Sequence, residues 1–181
     1  MKLIVGFYAT MRTMKSFSFL LAVLILGIAV AEEPAADAKQ AKVIAQADDG
    51  TVLLHARDAA IRGKTVRYEP QPNKNTIGYW TNASDWVSWD FTIQKPGKFI
   101  VEPLQGCGKG SGGAEVEFSI GEQTLAMTVK DTGHFQNFVA REIGTVALDK
   151  AGRYTLSVKP KTKPGVAVMD LRQVTLKPVK E

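Results

Sequence analysis

The chain has 181 residues, with 23 Lys and Arg against 18 Asp and Glu, a formal charge of +5. Taking away residues 1–31 would remove Lys2, Arg12 and Lys15 and no acid, which lowers the charge to +2 and gives little support for nucleic-acid binding. One cysteine, Cys107, excludes an internal disulfide framework, so stability must come from a packed core.

From the N-terminus, Lys15 precedes FSFLLAVLILGIAVA, an uncharged run ending in Ala29-Val30-Ala31. A basic start, a short apolar run and a small-x-small site predict a signal peptide over 1–31. The run falls short of the ~20 apolar residues of a membrane span, so the expected location is secreted or periplasmic after cleavage, with membrane contact only during export. Residues 32–47, rich in Ala and charge, predict a linker, and a single domain is expected over 48–181.

Within the domain, Val52–Ala56 and Thr65–Glu69 predict strands, separated by a turn at Asp58–Gly63 and followed by a loop at Pro70–Asn75. Ile77–Ile93 holds all three tryptophans. Its second half alternates, with Val87, Trp89, Phe91 and Ile93 facing inward, so it predicts a half-buried strand fed by an aromatic loop. Lys95–Lys98 is a hairpin turn into Phe99–Leu104, and Gly106–Gly113 predicts a flexible connection. Ala114–Ile120 and Gln123–Val129 form a hairpin through Gly121-Glu122. Asp131–Phe138 (DTGHFQNF) predicts a second aromatic loop, and strands near Val139–Leu148, Tyr154–Val158 and Val168–Leu176 complete the chain. Nine or ten short strands with almost no helical period predict an all-β antiparallel jelly-roll sandwich.

Motifs for catalysis are weak. Gly108–Gly113 satisfies G-x-G-x-x-G, but AEVEFSI after it is a strand rather than a helix, which leaves no helix N-terminus for a pyrophosphate. His55 and His134 are the only histidines and lack metal-ligand spacing. No strained serine turn accompanies His134 and Asp131, and Asp85, Asp90 and Asp131 read as turn or strand-surface residues rather than a catalytic pair. No cofactor and no enzymatic activity are expected. The two aromatic loops are the candidate site. Tyr79 and Phe135 would pack on the apolar faces of sugar rings, with Trp80, His134 and Asn137 shaping the site and bonding hydroxyls. The alternative is that the aromatics plug the sandwich ends of a structural or adaptor domain that contacts a protein at the cell surface.

Three segments carry a family resemblance: IGYWTNASDWVSWDFTIQKPGKF, DTGHFQNF, and AGRYTLSVKP with VMDLRQVTL. Together they resemble carbohydrate-binding modules of the galactose-binding-domain-like superfamily, nearest the family-six and family-thirty-five jelly rolls. The chain also resembles domains appended to exported sulfatases and fucosidases, which implies a glycan or polysaccharide ligand and an exported hydrolase or sulfatase as partner. The resemblance places the two cleft aromatics on Tyr79 and Phe135, while a sugar-bonding Asn of the family falls on Val168. A structural calcium common in the family would use Asp170, but its other acid falls on Arg57. An Arg57–Asp170 salt bridge is therefore expected in place of the metal.

Overall fold

The computed structural model describes residues 42–180. The signal peptide expected over 1–31 and the linker up to residue 41 lie outside those residues. In chain order the strands are β1 (Val43–Ala45), β2 (Val52–His55), β3 (Ala60–Arg62), β4 (Arg67–Glu69), β5 (Thr76–Gly78), β6 (Trp86–Ile93) and β7 (Gly97–Cys107). Then come β8 (Glu115–Ile120), β9 (Gln123–Thr128), β10 (His134–Ala140), β11 (Gly144–Leu148), β12 (Gly152–Pro160) and β13 (Asp170–Pro178). One short 3₁₀ turn, Ala56–Asp58, follows β2. Among the described residues no helix is long and apolar enough to cross a membrane.

The strands form two sheets of a sandwich. One runs β1-β6-β12-β8-β9 with β3 also on β6; the other runs β10-β7-β13-β5-β4, with β11 on β7 and β2 on β13. All pairings are antiparallel except β1 on β6, where Val43 and Ala45 lie opposite Asp90 and Thr92. That parallel strand arises inside the segment expected to be a linker. Gln46, directly after it, explains the docking: its side-chain Oε1 accepts from the backbone amides of Gln94 and Lys95, and its Nε2 donates to the carbonyl of Gly50.

The inward positions expected from alternation are buried. Val87, Trp89, Phe91 and Ile93 of β6 meet Val116, Phe118 and Ile120 of β8 and Leu156 and Val158 of β12. Leu54, Ile77, Phe99, Val101, Val174 and Leu176 cover them from the second sheet. Each such large apolar side chain contributes roughly 1.5–3 kcal/mol relative to exposure, and aligned inner faces are how two sheets close a core. Trp86 points outward, half-buried, with the Arg62 guanidinium 5.7 Å and the Lys159 ammonium 4.6 Å from its ring centroid.

Two segments differ from expectation, and both differences build the candidate site. The Gly106–Gly113 connection begins as strand, because β7 extends through Cys107. The expected loop Asp131–Phe138 is half strand, since β10 starts at His134 and pairs with β7 through a register shift between His134 and Val139. Gly106 makes that pairing sterically possible: a Cβ there would lie 1.9 Å from the Phe135 carbonyl oxygen. The register shift breaks the simple alternation and brings both Phe135 and Gln136 to the end of the sheet.

Candidate functional site

Tyr79 and Trp80 are neighbours with opposite fates. Trp80 is 0% exposed; its indole Nε1 donates to the Asp85 carbonyl at 2.9 Å, and its own carbonyl accepts from Val168 N at 2.8 Å. The Thr81 amide donates back to the Tyr79 carbonyl at 2.8 Å, closing a three-residue turn around Trp80. Trp80 is therefore core, and it contributes anchorage rather than a stacking surface. Tyr79 is left 49% exposed with a left-handed φ of 52°. A bulky residue rarely adopts this backbone, which costs roughly 1–3 kcal/mol and marks functional positions more often than chance. The Arg67 guanidinium stands 3.5 Å from its ring centroid.

The loop that presents this turn is held by Asp85, which is 1% exposed. Its carboxylate accepts from the amides of Lys64, Thr65 and Val66 at 3.0, 2.8 and 2.9 Å and from the Thr65 hydroxyl at 2.9 Å. Burial opposes its ionisation, but these four donors together outweigh burial and hold the pKa below the usual carboxylate value. The other candidate carboxylates are also structural: Asp90 accepts from Thr155 and Arg153, and Asp131 accepts from the amides of Gly110 and Gly133.

Tyr79 and Phe135 line one cavity of about 290 Å³, near the lower end of ligand-pocket sizes, roughly 300–1,000 Å³. Val166, which is 71% exposed, and Ala167 add apolar wall; Glu69, Lys74, Thr81, Gln136 and Asp170 supply polar groups. A larger groove of about 530 Å³ around Gln46, Asp49, Lys95 and Lys98 has only the buried Phe99 as an aromatic. The end cavity is thus the place where half-exposed aromatics and convergent polar side chains coincide.

Glu69 and Asp170 form the polar floor, both nearly buried at 7% and 5% exposure. The Lys74 ammonium donates to Glu69 at 2.8 Å, and the Gln136 amide donates to Asp170 at 3.0 Å. Between the two acids runs Gly78, where a Cβ would lie 2.5 Å from Glu69 Oε2 and 3.1 Å from Asp170 Oδ1. Lys74 is presented by a turn that Arg172 clamps, donating to the carbonyls of Asn73 and Lys74. Burial pushes the Asp170 carboxyl up to about 7; Glu69 adds to the rise, and Gln136, Lys74 and Arg172 oppose it.

A raised carboxyl pKa has a definite thermodynamic sign. The ionised Asp170 costs stability that is absent below the unfolded value near 3.8, grows across the window up to about 7, and is complete above it. Asp170→Asn, which keeps an acceptor for Gln136, should raise the melting temperature at pH 8 more than at pH 4. A gap that does not change with pH would show that Asp170 carries no such cost.

The expected Arg57–Asp170 salt bridge is not formed. Arg57 lies in the 3₁₀ turn, exposed, with its Nε 3.7 Å from Asp58, while Asp170 faces the cavity floor. The short turn directs Arg57 outward, and Lys74 is the cation that enters the acidic floor, through Glu69. The resemblance puts the calcium's other acid at Arg57, and a cation there cannot ligate the metal.

Of the five expected ligand-binding residues, Tyr79 and Phe135 come together in the cavity. Trp80 lies beneath it in the core. His134 and Asn137 are exposed but outside the cavity lining, and both brace their own loop: His134 Nδ1 accepts from the Gln136 amide, and Asn137 Nδ2 donates to the Thr132 carbonyl. Glu69, Lys74 and Gln136 are lining groups that sequence reasoning missed. Gln136 sat between two named residues, but strict alternation gave no reason to choose it. Val168, where the family's Asn would stand, is core at 0% exposure. His55, expected to be structural, accepts the Arg57 amide with Nδ1 and receives the Trp89 indole on its carbonyl. Burial pushes the Cys107 thiol up to about 11, which leaves it a poor nucleophile.

Solved structures share this architecture. The C-terminal CBM6 of LamC, a marine laminarinase from Zobellia galactanivorans, is 19% identical with a TM-score of 0.55, covering 70% of this chain and 98% of that one. The module CBM6cm-2 of Cellvibrio mixtus lichenase 5A, solved with cellotriose, is 19% identical with a TM-score of 0.55, covering 71% and 97%. A family 35 carbohydrate-binding module from Clostridium thermocellum is 11% identical with a TM-score of 0.56, covering 71% and 98%. At such identities the likeness is one of fold, and it agrees with the resemblance drawn from the three sequence segments. No curated protein sequence matches the chain. A family model does match over residues 64–180, a span that includes β4 through β13 and every cavity residue named above, and the chain therefore belongs to the family described as Domain of unknown function (DUF5077).

Proposed function

We propose that this domain is a non-catalytic glycan-binding module, exported in a secreted or periplasmic form after loss of residues 1–31. The observation that carries the proposal is the meeting of Tyr79 and Phe135 on one cavity whose floor offers carboxylate, amide and ammonium groups. Sugar rings need this combination, an apolar surface for the C–H faces and fixed polar groups for the hydroxyls. Stacking on the two rings would supply much of the affinity. Glu69 and Asp170 would accept hydroxyl hydrogens, and Gln136 and Lys74 would donate to ring or hydroxyl oxygens. A shallow cavity of this size implies modest affinity, because water competes for each hydroxyl.

Exposure of Tyr79 weighs against the end-plug arrangement on which the adaptor alternative depends. The fold's likeness to modules of polysaccharide-degrading enzymes supports a glycan ligand and, as partner, an exported hydrolase or sulfatase. Calorimetric titration of the purified protein with neutral oligosaccharides, cellotriose among them, should give saturable binding to at least one. A flat response to all of them at millimolar concentration would count against glycan binding.

A further inference from the structure

We infer that Gly108 is a specificity-determining position: its lack of a side chain lets the Phe135 ring lie back against the end of β7, and so sets how wide the cavity is. A Cβ on Gly108 would sit 2.5 Å from Phe135 Cε2, 2.9 Å from Cδ2 and 3.0 Å from Cζ. All three are ring atoms, so the contact is with the face or edge of the aromatic rather than with backbone. Phe135 lines the cavity and Gly108, which is buried, does not. The ring therefore stands between Gly108 and the open space, and any side chain at 108 drives it into the cavity.

The backbone behind the ring has little freedom to yield. Cys107 N donates to the Thr132 hydroxyl at 2.8 Å, Thr132 N donates to the Cys107 carbonyl at 3.0 Å, and Ser111 N donates to the Gly108 carbonyl at 2.9 Å. Gly108 itself has no left-handed φ, unlike Gly110 and Gly113, so alanine is conformationally allowed there. The clash must be relieved by the Phe135 side chain, which turns on its own χ angles. Gly106 is different in kind: a Cβ there meets the Phe135 carbonyl at 1.9 Å and would disrupt the strand pairing itself. The glycine-rich stretch, which fails as a phosphate loop, thus acts as the recess that holds one wall of the site open.

The geometry stands by itself; its consequence for ligand choice rests on the glycan-binding proposal. The test is a crystal structure of Gly108→Ala together with glycan arrays of wild type, Gly108→Ala, Phe135→Leu and the double variant. The alanine variant should keep its melting temperature within a few degrees, show the ring displaced into the cavity, and bind the strongest wild-type array glycan about tenfold more weakly, the loss of one stacking contact. Leucine at 135 lacks the Cε2 and Cζ atoms that the new methyl would meet, so the effect of Gly108→Ala should be clearly smaller in the Phe135→Leu background. A ring that stays in place, or a double variant whose losses simply add, overturns the role of Gly108 while leaving glycan binding standing. Arrays blank for wild type and variants alike overturn glycan binding, and the specificity role with it.

Discussion

Asp85→Ala is expected to cost about 3–5 kcal/mol of folding free energy, because it strands the buried Val66 amide together with two part-buried amides and a hydroxyl that converge on one buried carboxylate. Set against a total stability of roughly 5–15 kcal/mol for a domain, such a loss approaches unfolding. Urea denaturation of the two proteins at neutral pH measures it, and a loss below about 1 kcal/mol would mean that water or neighbouring groups replace the carboxylate. A Cβ on Gly63 would lie 2.2 Å from Asp85 Cγ, so the segment leading into Lys64 packs closely on the carboxylate. The acid also carries a pH signature. Its folded pKa is depressed, so its contribution is present above the unfolded value near 3.8 and is lost as pH falls through the folded value. The stability difference between wild type and Asp85→Ala should therefore shrink in acid.

Tyr79→Ala should weaken glycan binding by roughly ten- to a hundredfold while barely altering stability. The variant loses the contact between the Tyr79 ring and the Arg67 guanidinium, worth about 0.5–1 kcal/mol at an exposed site. Alanine keeps the Cβ, so the backbone strain at φ 52° is unchanged and the net loss of stability stays small. Binding and melting temperature measured on the same preparation check this. A fall in melting temperature that parallels the loss of binding would make Tyr79 a structural residue. Arg67 lies over the ring and is not part of the cavity lining, whereas Lys74, whose ammonium is 5.8 Å from the same centroid, is.

The fold was legible wherever a strand has one wet and one dry face. Val116, Phe118 and Ile120 against Glu115, Glu117 and Ser119 leave one possible orientation, and a slip by one residue would bury charge. Strands whose pairing depends on distant partners were harder. Val43–Ala45 is too short and too plainly composed to announce a strand, and it exists because β6 offers a free edge and Gln46 locks the following turn. The site was half legible for a related reason. Tyr79 and Phe135 stood out as aromatics among turn residues, but nothing local told Tyr79 from Trp80. Their division depends on the Asp85 carbonyl, which captures the indole, and on Val168, whose amide pins the Trp80 carbonyl. Gln136 enters the cavity only because β10 is out of register with β7. The acids of the floor are invisible to local pattern, since Glu69 closes one strand, Asp170 opens another, and only the sandwich brings both beside Gly78.

Glycan binding at the end cavity is tested most directly by mapping amide chemical shifts while titrating the strongest array glycan into isotopically labelled protein. The shifts should cluster at Tyr79, Thr81, Gln136 and Asp170, and should be missing from Tyr79→Ala under the same conditions. Shifts confined to the outer face around Trp86, Arg62 and Lys159, or an array without any hit, would contradict the assignment.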